Sequence, residues 1–236
     1  MLAGCHPDMD APAEWTWLGR VPYGPTLELQ ERIREDILAG RARERLLLLE
    51  HPPVITLGRH ANPAHVLLPV PSLRAQGIEV CRSTRGGDVT FHGPGQLVGY
   101  PIFRLRRGVR AHVQAMATSI VQWLASLGLQ AEWRASTPGV WLGTDKICAF
   151  GLHVRHRIAT HGFALNLATD LVGFSTIIPC GLESGGVTSV AQRLGSAPPV
   201  EAAARSLIAL FEKNFGVQLL ERREECSQLH PNSASH

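Results

Sequence analysis

Apolar residues recur at helical spacing in three stretches of the chain. Residues 25–39 carry Leu29, Ile33 and Ile37 on one stripe, with Pro25 near the first turn and Gly40 as the stop. Residues 109–127 carry a longer stripe of Val113, Ala117, Ile120, Leu124 and Leu127, and residues 200–215 form a third helix. Shorter runs rich in β-branched and aliphatic residues predict strands at 45–49, 54–57, 78–82, 97–103, 140–142, 146–154 and 158–167. The last two are joined tightly around His156 and should pair as an antiparallel hairpin. Strands cluster while helices arrive singly. This order predicts an α+β fold: a mixed, largely antiparallel sheet with flanking helices laid on one face.

At 236 residues the chain is long enough to bury one core without needing two. The ends, residues 1–13 and 224–236, are expected to be disordered around a single domain at 14–223. No apolar run reaches the length of a membrane span, and residues 1–13 lack the features of a signal or transit peptide, so a cytoplasmic protein is expected. Five cysteines without a close CxxC pair fit free thiols in a reducing compartment. The net charge of +3 says little by itself, but residues 89–131 contain no Asp or Glu while Arg104, Arg106, Arg107 and Arg110 fall close together. That cluster is either a solvated helix start or a docking patch for an acidic partner. Without a binding motif or interleaved aromatics it does not indicate nucleic acid.

Three segments carry candidate chemistry. The first, Arg85-Gly86-Gly87-Asp88-Val89-Thr90-Phe91-His92-Gly93-Pro94-Gly95-Gln96, sets four glycines and a proline around a short β-like run, as suits a pocket wall that a ligand approaches closely. It lacks the Gly-Lys-Ser/Thr ending of a phosphate-binding loop and the spacing of a dinucleotide fingerprint. In the second, Lys146 opens a strand of apolar and small residues, Ile147-Cys148-Ala149-Phe150-Gly151. Such a lysine either faces water on an edge strand or is a partly buried base. In the third, Pro179-Cys180-Gly181 presents a thiol on a sharp turn, where a cysteine is either a small buried hydrophobe or a nucleophile activated by a nearby ammonium. His153, His156 and His161 do not have a metal site's spacing, and there is no GxSxG elbow, so neither a metal nor a serine nucleophile is expected.

Four ordered segments, RGGDVTFHGPGQ at 85–96, KICAFG from Lys146, HGFALN at 161–166 and FSTIIPCG at 174–181, together resemble the lipoyl(octanoyl) transferases. Residues 49–58, LEHPPVITLG, also resemble that family's early strand pair, and the likeness covers roughly residues 45–190. It implies the fold of the biotin and lipoate protein ligases, and transfer of octanoyl from acyl carrier protein to a lipoyl-domain lysine of 2-oxoacid dehydrogenases or the glycine cleavage H protein. No cofactor is implied, since the acyl group arrives on the carrier's phosphopantetheine. The resemblance makes Cys180 the acyl-thioester nucleophile and Lys146 the residue that lowers its pKa. It assigns the acyl chain and carbonyl to Arg85, Gly86, Gly87, Asp88, Val89, Thr90, Phe91 and His92, to Ala149, Phe150 and Gly151, and to Gly162, Phe163 and Ala164. An octanoyl chain calls for an apolar floor, and an acidic carrier would give the arginine cluster a docking role. Cys148 departs from the family's small apolar residue. Two positions after Lys146, it is expected on the same strand face, either as simple packing or as a second thiol near the site. The alternatives are an ATP-dependent lipoate-protein ligase, an amidotransferase between lipoyl domains, and a non-catalytic carrier-binding module.

Overall fold

The computed structural model describes residues 11–179 and 186–223. Its elements run β1 (Ala13–Arg20), α1 (Tyr23–Leu38), β2 (Arg45–Glu50), β3 (Val54–Leu57), α2 (Val70–Ala75), β4 (Glu79–Arg82), β5 (Val89–His92), β6 (Gln96–Ile102) and α3 (Gly108–Ser126). They continue with β7 (Glu132–Arg134), β8 (Gly139–Leu142), β9 (Asp145–Arg155), β10 (Ile158–Asn166), α4 (Val190–Leu194), α5 (Val200–Phe215) and β11 (Leu219–Glu221). Eight strands form one sheet in the order β11-β1-β2-β6-β10-β9-β8-β7, and β4-β3-β5 form a second. In the large sheet β1 pairs parallel with β2 and β11, and every other pairing is antiparallel. β9 and β10 are the predicted hairpin, and His156 and Arg157 supply positive φ at the turn.

The expected single helical layer is not what forms. Strand β2 reads Arg-Leu-Leu-Leu-Leu-Glu, a continuous apolar run with no polar face, and such a strand must be covered on both sides. Leu46 and Leu48 join a core with Ile120 and Leu124 of α3 and Leu207 and Phe211 of α5. Leu47 and Leu49 face the other way, against Ile33 and Ile37 of α1. Helices therefore cover both faces. On the α3/α5 side, Trp123 Nε1 donates to Ser206 Oγ at 2.7 Å and Asn214 Nδ2 to Ser119 Oγ at 3.0 Å, so polar bonds lock two otherwise apolar helices together.

His112 of α3 is buried in that layer, edge-on to Phe103 and Phe215 at 6.3 and 5.1 Å, and its Nε2 has no hydrogen-bond partner. Burial holds the ring neutral by pushing its pKa down to about 4. A phenylalanine fills nearly the same space with no polar atom to desolvate. His112→Phe is expected to raise unfolding stability at pH 7.5 by about 1–2 kcal/mol, read as a higher urea midpoint with an unchanged slope.

Candidate active site

Strands β5, β6, β9 and β10 and the start of α1 enclose a cavity of about 920 Å³, with Val109, Arg110 and Val113 of α3 and Trp133 of β7 also in its wall. Among the residues assigned to the acyl group, 85–90, His92, 149–151 and 162–164 line it, as does Lys146. Phe91 does not. On β5 alternate side chains take opposite faces, and Phe91 turns into the small sheet's core, 5.5 Å and edge-on to Phe174.

Two glycines set how closely the walls approach. A Cβ on Gly162 would lie 2.2 Å from the carbonyl oxygen of Gly99 on the neighbouring strand, and one on Gly58 would lie 2.3 Å from that of Gly87. The second contact seats the glycine-rich segment against the end of β3. Arg85 and Asp88 fix the segment from either side. The buried Arg85 guanidinium donates from Nε to Thr56 Oγ1 at 3.1 Å and from its second terminal nitrogen to Thr56 O at 2.6 Å, while Asp88 accepts from the Asn62 backbone at 2.9 Å and pairs with His65. Both side chains therefore hold the wall in shape.

The cavity is not floored by hydrocarbon alone. Tyr23, His92, Tyr100 and His161 line it, and the ring of Tyr23 lies 6.1 Å from His92 and that of Tyr100 6.0 Å from His161. His51 sits behind them, 5.2 Å from Tyr23 and 5.7 Å from His92. These polar rings are compatible with an interior because they satisfy one another. His51 Nδ1 donates to Val21 O at 2.7 Å, which leaves Nε2 to accept from the Tyr100 hydroxyl at 2.8 Å. Gln96 uses its Nε2 to donate to Asn166 Oδ1 at 2.9 Å, so its Oε1 accepts from His92 Nδ1 at 2.7 Å. Burial pushes His51 down to about 4, and burial with the neighbouring His51 pushes His92 to about 3. Burial and the nearby Arg85 charge take His161 to about 3. All three are neutral at physiological pH. His161 also holds a φ of 58° inside a strand, where its backbone N–H reaches Gln30 Oε1 at 2.7 Å.

Lys146 is not on an edge, because β9 lies between β8 and β10. It is half-buried, with its ammonium 4.8 Å from the centroid of the Trp141 ring. Its stem lies over Gly139, where a Cβ would come 2.9 Å from Lys146 Cε. The β8–β9 register passes from Val140–Cys148 to Trp141–Lys146, a bulge that leaves Ile147 unmatched. The bulge interrupts strict alternation between Lys146 and Cys148. Lys146 packs on Trp141, while Cys148 sits with Val140 in the α3/α5 core and also lines the cavity that Lys146 lines, so it is both packing and a second thiol near the site. Burial pushes the Cys148 thiol well above its ordinary range. Cys81, raised to about 12 by burial and by Glu79, is no better a nucleophile, and both cysteines are free.

Cys180 lies outside the described residues. Pro179 on one side of it and Val187 beyond it both line the cavity. Val187 forms a parallel bridge with Lys146, whose backbone N–H donates to Gly186 O at 2.9 Å and whose carbonyl accepts from the Thr188 N–H at 3.0 Å. The arginine cluster divides. Arg104 donates to Ile37 O at 2.5 Å and Arg106 pairs with Glu44 at 2.7 Å, so both tie the fold together, while Arg107 and Arg110 are exposed at the start of α3.

The model of the lipoyl protein ligase A/B catalytic domain matches residues 22–212. An octanoyltransferase of Myxococcus xanthus is 45% identical over 208 residues, covering 83% of this chain and 58% of its own. One of Chloroflexus aggregans is 44% identical over 198 residues, covering 81% of this chain and 90% of its own. The chain belongs to the octanoyltransferase family. It is an acyltransferase enzyme. Solved structures at lower identity share the fold: lipoate-protein ligase A bound with ATP superposes with a TM-score of 0.73 at 18% identity, over 92% of this chain and 91% of that one. Biotin protein ligase from Aquifex aeolicus in complex with biotin and ATP gives 0.54 at 12% identity, over 86% and 70%. Among the described residues no helix is long and apolar enough to cross a membrane, and no cluster of metal-ligating side chains is found.

The sequence reading missed Tyr23 and Tyr100 as cavity residues, while Gln96 and Asn166, which also line it, end two of the segments it singled out without being assigned to the acyl group. Tyr23 and Tyr100 are the chain's two tyrosines, and both end up here. Each sits in an apolar stretch as a polar ring needing a partner, and that was the available signal.

Proposed function

We propose that this enzyme moves an octanoyl group from octanoyl-acyl carrier protein to the lysine of a lipoyl domain through a thioester on Cys180. The acceptors would be the lipoyl domains of 2-oxoacid dehydrogenases and the glycine cleavage H protein, in the cytoplasm. One observation carries the reading. The chain on either side of Cys180 borders the cavity at Pro179 and Val187, and on its return it is paired by backbone bonds to Lys146. This supports a reading in which the Lys146 ammonium, lining the same cavity, acts on the thiol and favours the thiolate.

In the first half-reaction the Cys180 thiolate attacks the carrier thioester carbonyl. The tetrahedral oxyanion collapses by expelling the carrier's thiolate, which takes the proton of the Lys146 ammonium and leaves that lysine neutral, and the acyl group is now on Cys180. Backbone N–H groups of the glycine-rich wall are the donors available to the oxyanion. In the second, the lipoyl-domain amine attacks the Cys180 thioester, gives up a proton with Lys146 as its acceptor, and releases the Cys180 thiolate. The apolar part of the wall, with Phe150, Phe163 and Ala164, offers the eight-carbon chain about 0.8 kcal/mol per buried methylene.

The test is intact mass after mixing with octanoyl-acyl carrier protein in the absence of acceptor. One octanoyl adduct is expected, mapping to the peptide that contains Cys180 and discharged by a lipoyl domain. An adduct retained in Cys180→Ser would overturn the reading.

A further inference from the structure

Asp145 precedes Lys146 on β9, and its carboxylate should work against a thiolate held by that lysine. The structure deals with this charge in a specific way. Asp145 Oδ1 accepts from the Gly186 N–H at 2.9 Å and Oδ2 pairs with Arg193 of α4. Arg193 also donates from Nε to Thr188 Oγ1 at 3.0 Å. Thr188 is fully buried and in turn is held through its carbonyl by Asn166 Nδ2 at 3.0 Å. Residues 186–188 are thus clipped to β9 by the main chain of Lys146 and by Asp145 with Arg193, and to β10 by Asn166 at the end of the His92–Gln96–Asn166 chain of hydrogen bonds. No motif that carried the family resemblance includes Asp145 or Arg193.

We propose that Arg193 is a positioning residue for the acyl-transfer centre. It neutralises Asp145 and, through Asp145 and Thr188, docks the returning chain against Lys146, so that the lysine's charge acts on the nucleophile. This rests on the reading of Cys180 as that nucleophile. Around Lys146 stand Asp145 and Cys148 from β9, Arg134 of β7 over the same Trp141 ring at 5.0 Å, and Arg193 from α4. Glu132 of β7, opposite Trp141, is paired with Arg134, and Asp145 is the acid that Arg193 holds. Without Arg193 it becomes an uncompensated negative charge next to the lysine, and a like charge disfavours a thiolate.

The experiment follows the pH dependence of iodoacetamide alkylation at Cys180, read by peptide mass spectrometry on the full chain. Arg193→Ala is expected to move the midpoint upward by about one pH unit. Arg193→Gln keeps hydrogen-bond donors for Asp145 and Thr188 without the charge, and it should shift the midpoint likewise even if the alanine variant folds poorly. Asp145→Asn added to Arg193→Gln, which keeps the docking donors, should bring the midpoint back to within about 0.3 units of wild type, because asparagine still accepts from Gly186 and carries no charge. A merely structural pair would lose melting temperature without moving the profile. A profile that stays in place in Arg193→Gln, or one that Asp145→Asn fails to restore, overturns the proposal. Failure of the Cys180 reading is seen separately, as an absent octanoyl adduct on the wild-type protein.

Discussion

Cys180→Ser is expected to lower octanoyl transfer by about four orders of magnitude or more, Lys146→Ala by about 10²–10⁴-fold, and the double substitution by no more than the first alone. A serine hydroxyl has no anion at neutral pH comparable to a cysteine thiolate, so the covalent route closes with the first change. Lys146 then has nothing to activate, and for this reason the two losses should not add. Its single loss is smaller because a thiol retains some thiolate without an ammonium. Steady-state kcat/KM with octanoyl-acyl carrier protein and a lipoyl domain measures all three variants. Lys146→Ala should also shift the acid limb of the rate profile to higher pH, since the thiolate loses its counter-charge. A Lys146→Ala enzyme within tenfold of wild type and with an unmoved acid limb would reduce the lysine to a stem packed on Gly139 and Trp141.

The parts legible in the sequence are those whose information is local. Residues 200–215 form the helix their stripe predicts, and residues 109–127 do so within one residue at each end. The β9–β10 hairpin follows from two periodic runs and a two-residue turn. The four motifs converge on one cavity because glycine spacing reports close backbone approach directly. Other features depended on partners distant in the chain. The strand β1 is not among the predicted strands and only its first residue, Ala13, falls in the expected tail, yet it lies between β2 and β11, and β11 comes roughly two hundred residues later. Helices on both faces were implied by the Leu46–Leu49 run, but a short apolar run does not say which helices will cover it. Cys148 both packs with Val140 and lines the cavity, at a bulge against β8 that is invisible to simple alternation. The polar end of the cavity gathers Tyr23, His51, His92, Tyr100 and His161 from five separate elements or loops, and only His51, His92 and His161 belong to segments singled out in the sequence.

Those histidines make the protein acid-sensitive. His51, His92, His112 and His161 are held neutral by burial at values of about 3 to 4, against about 6.5 in an unfolded chain. Below pH 6.5 the unfolded state binds protons that the folded state refuses. The stability from these groups is therefore complete above pH 6.5 and is lost as pH falls from there toward 3 to 4. At pH 5 each costs about 2 kcal/mol, or about 8 kcal/mol for the four, which is comparable to the whole stability of an ordinary domain. Cooperative unfolding is expected with a midpoint near pH 5, recorded as loss of near-ultraviolet circular dichroism, and transfer activity should disappear over the same interval. His112 provides the internal control. It lies outside the cavity, so His112→Phe should leave activity at pH 7.5 unchanged and move the acid midpoint down by about half a unit, removing one of the four protonation sites. A wild-type protein with native dichroism at pH 4 would show that the four rings are not held neutral by the fold. A His112→Phe variant unfolding at the wild-type pH would show that this ring is protonated without cost, through a partner for Nε2 that only the charged form engages.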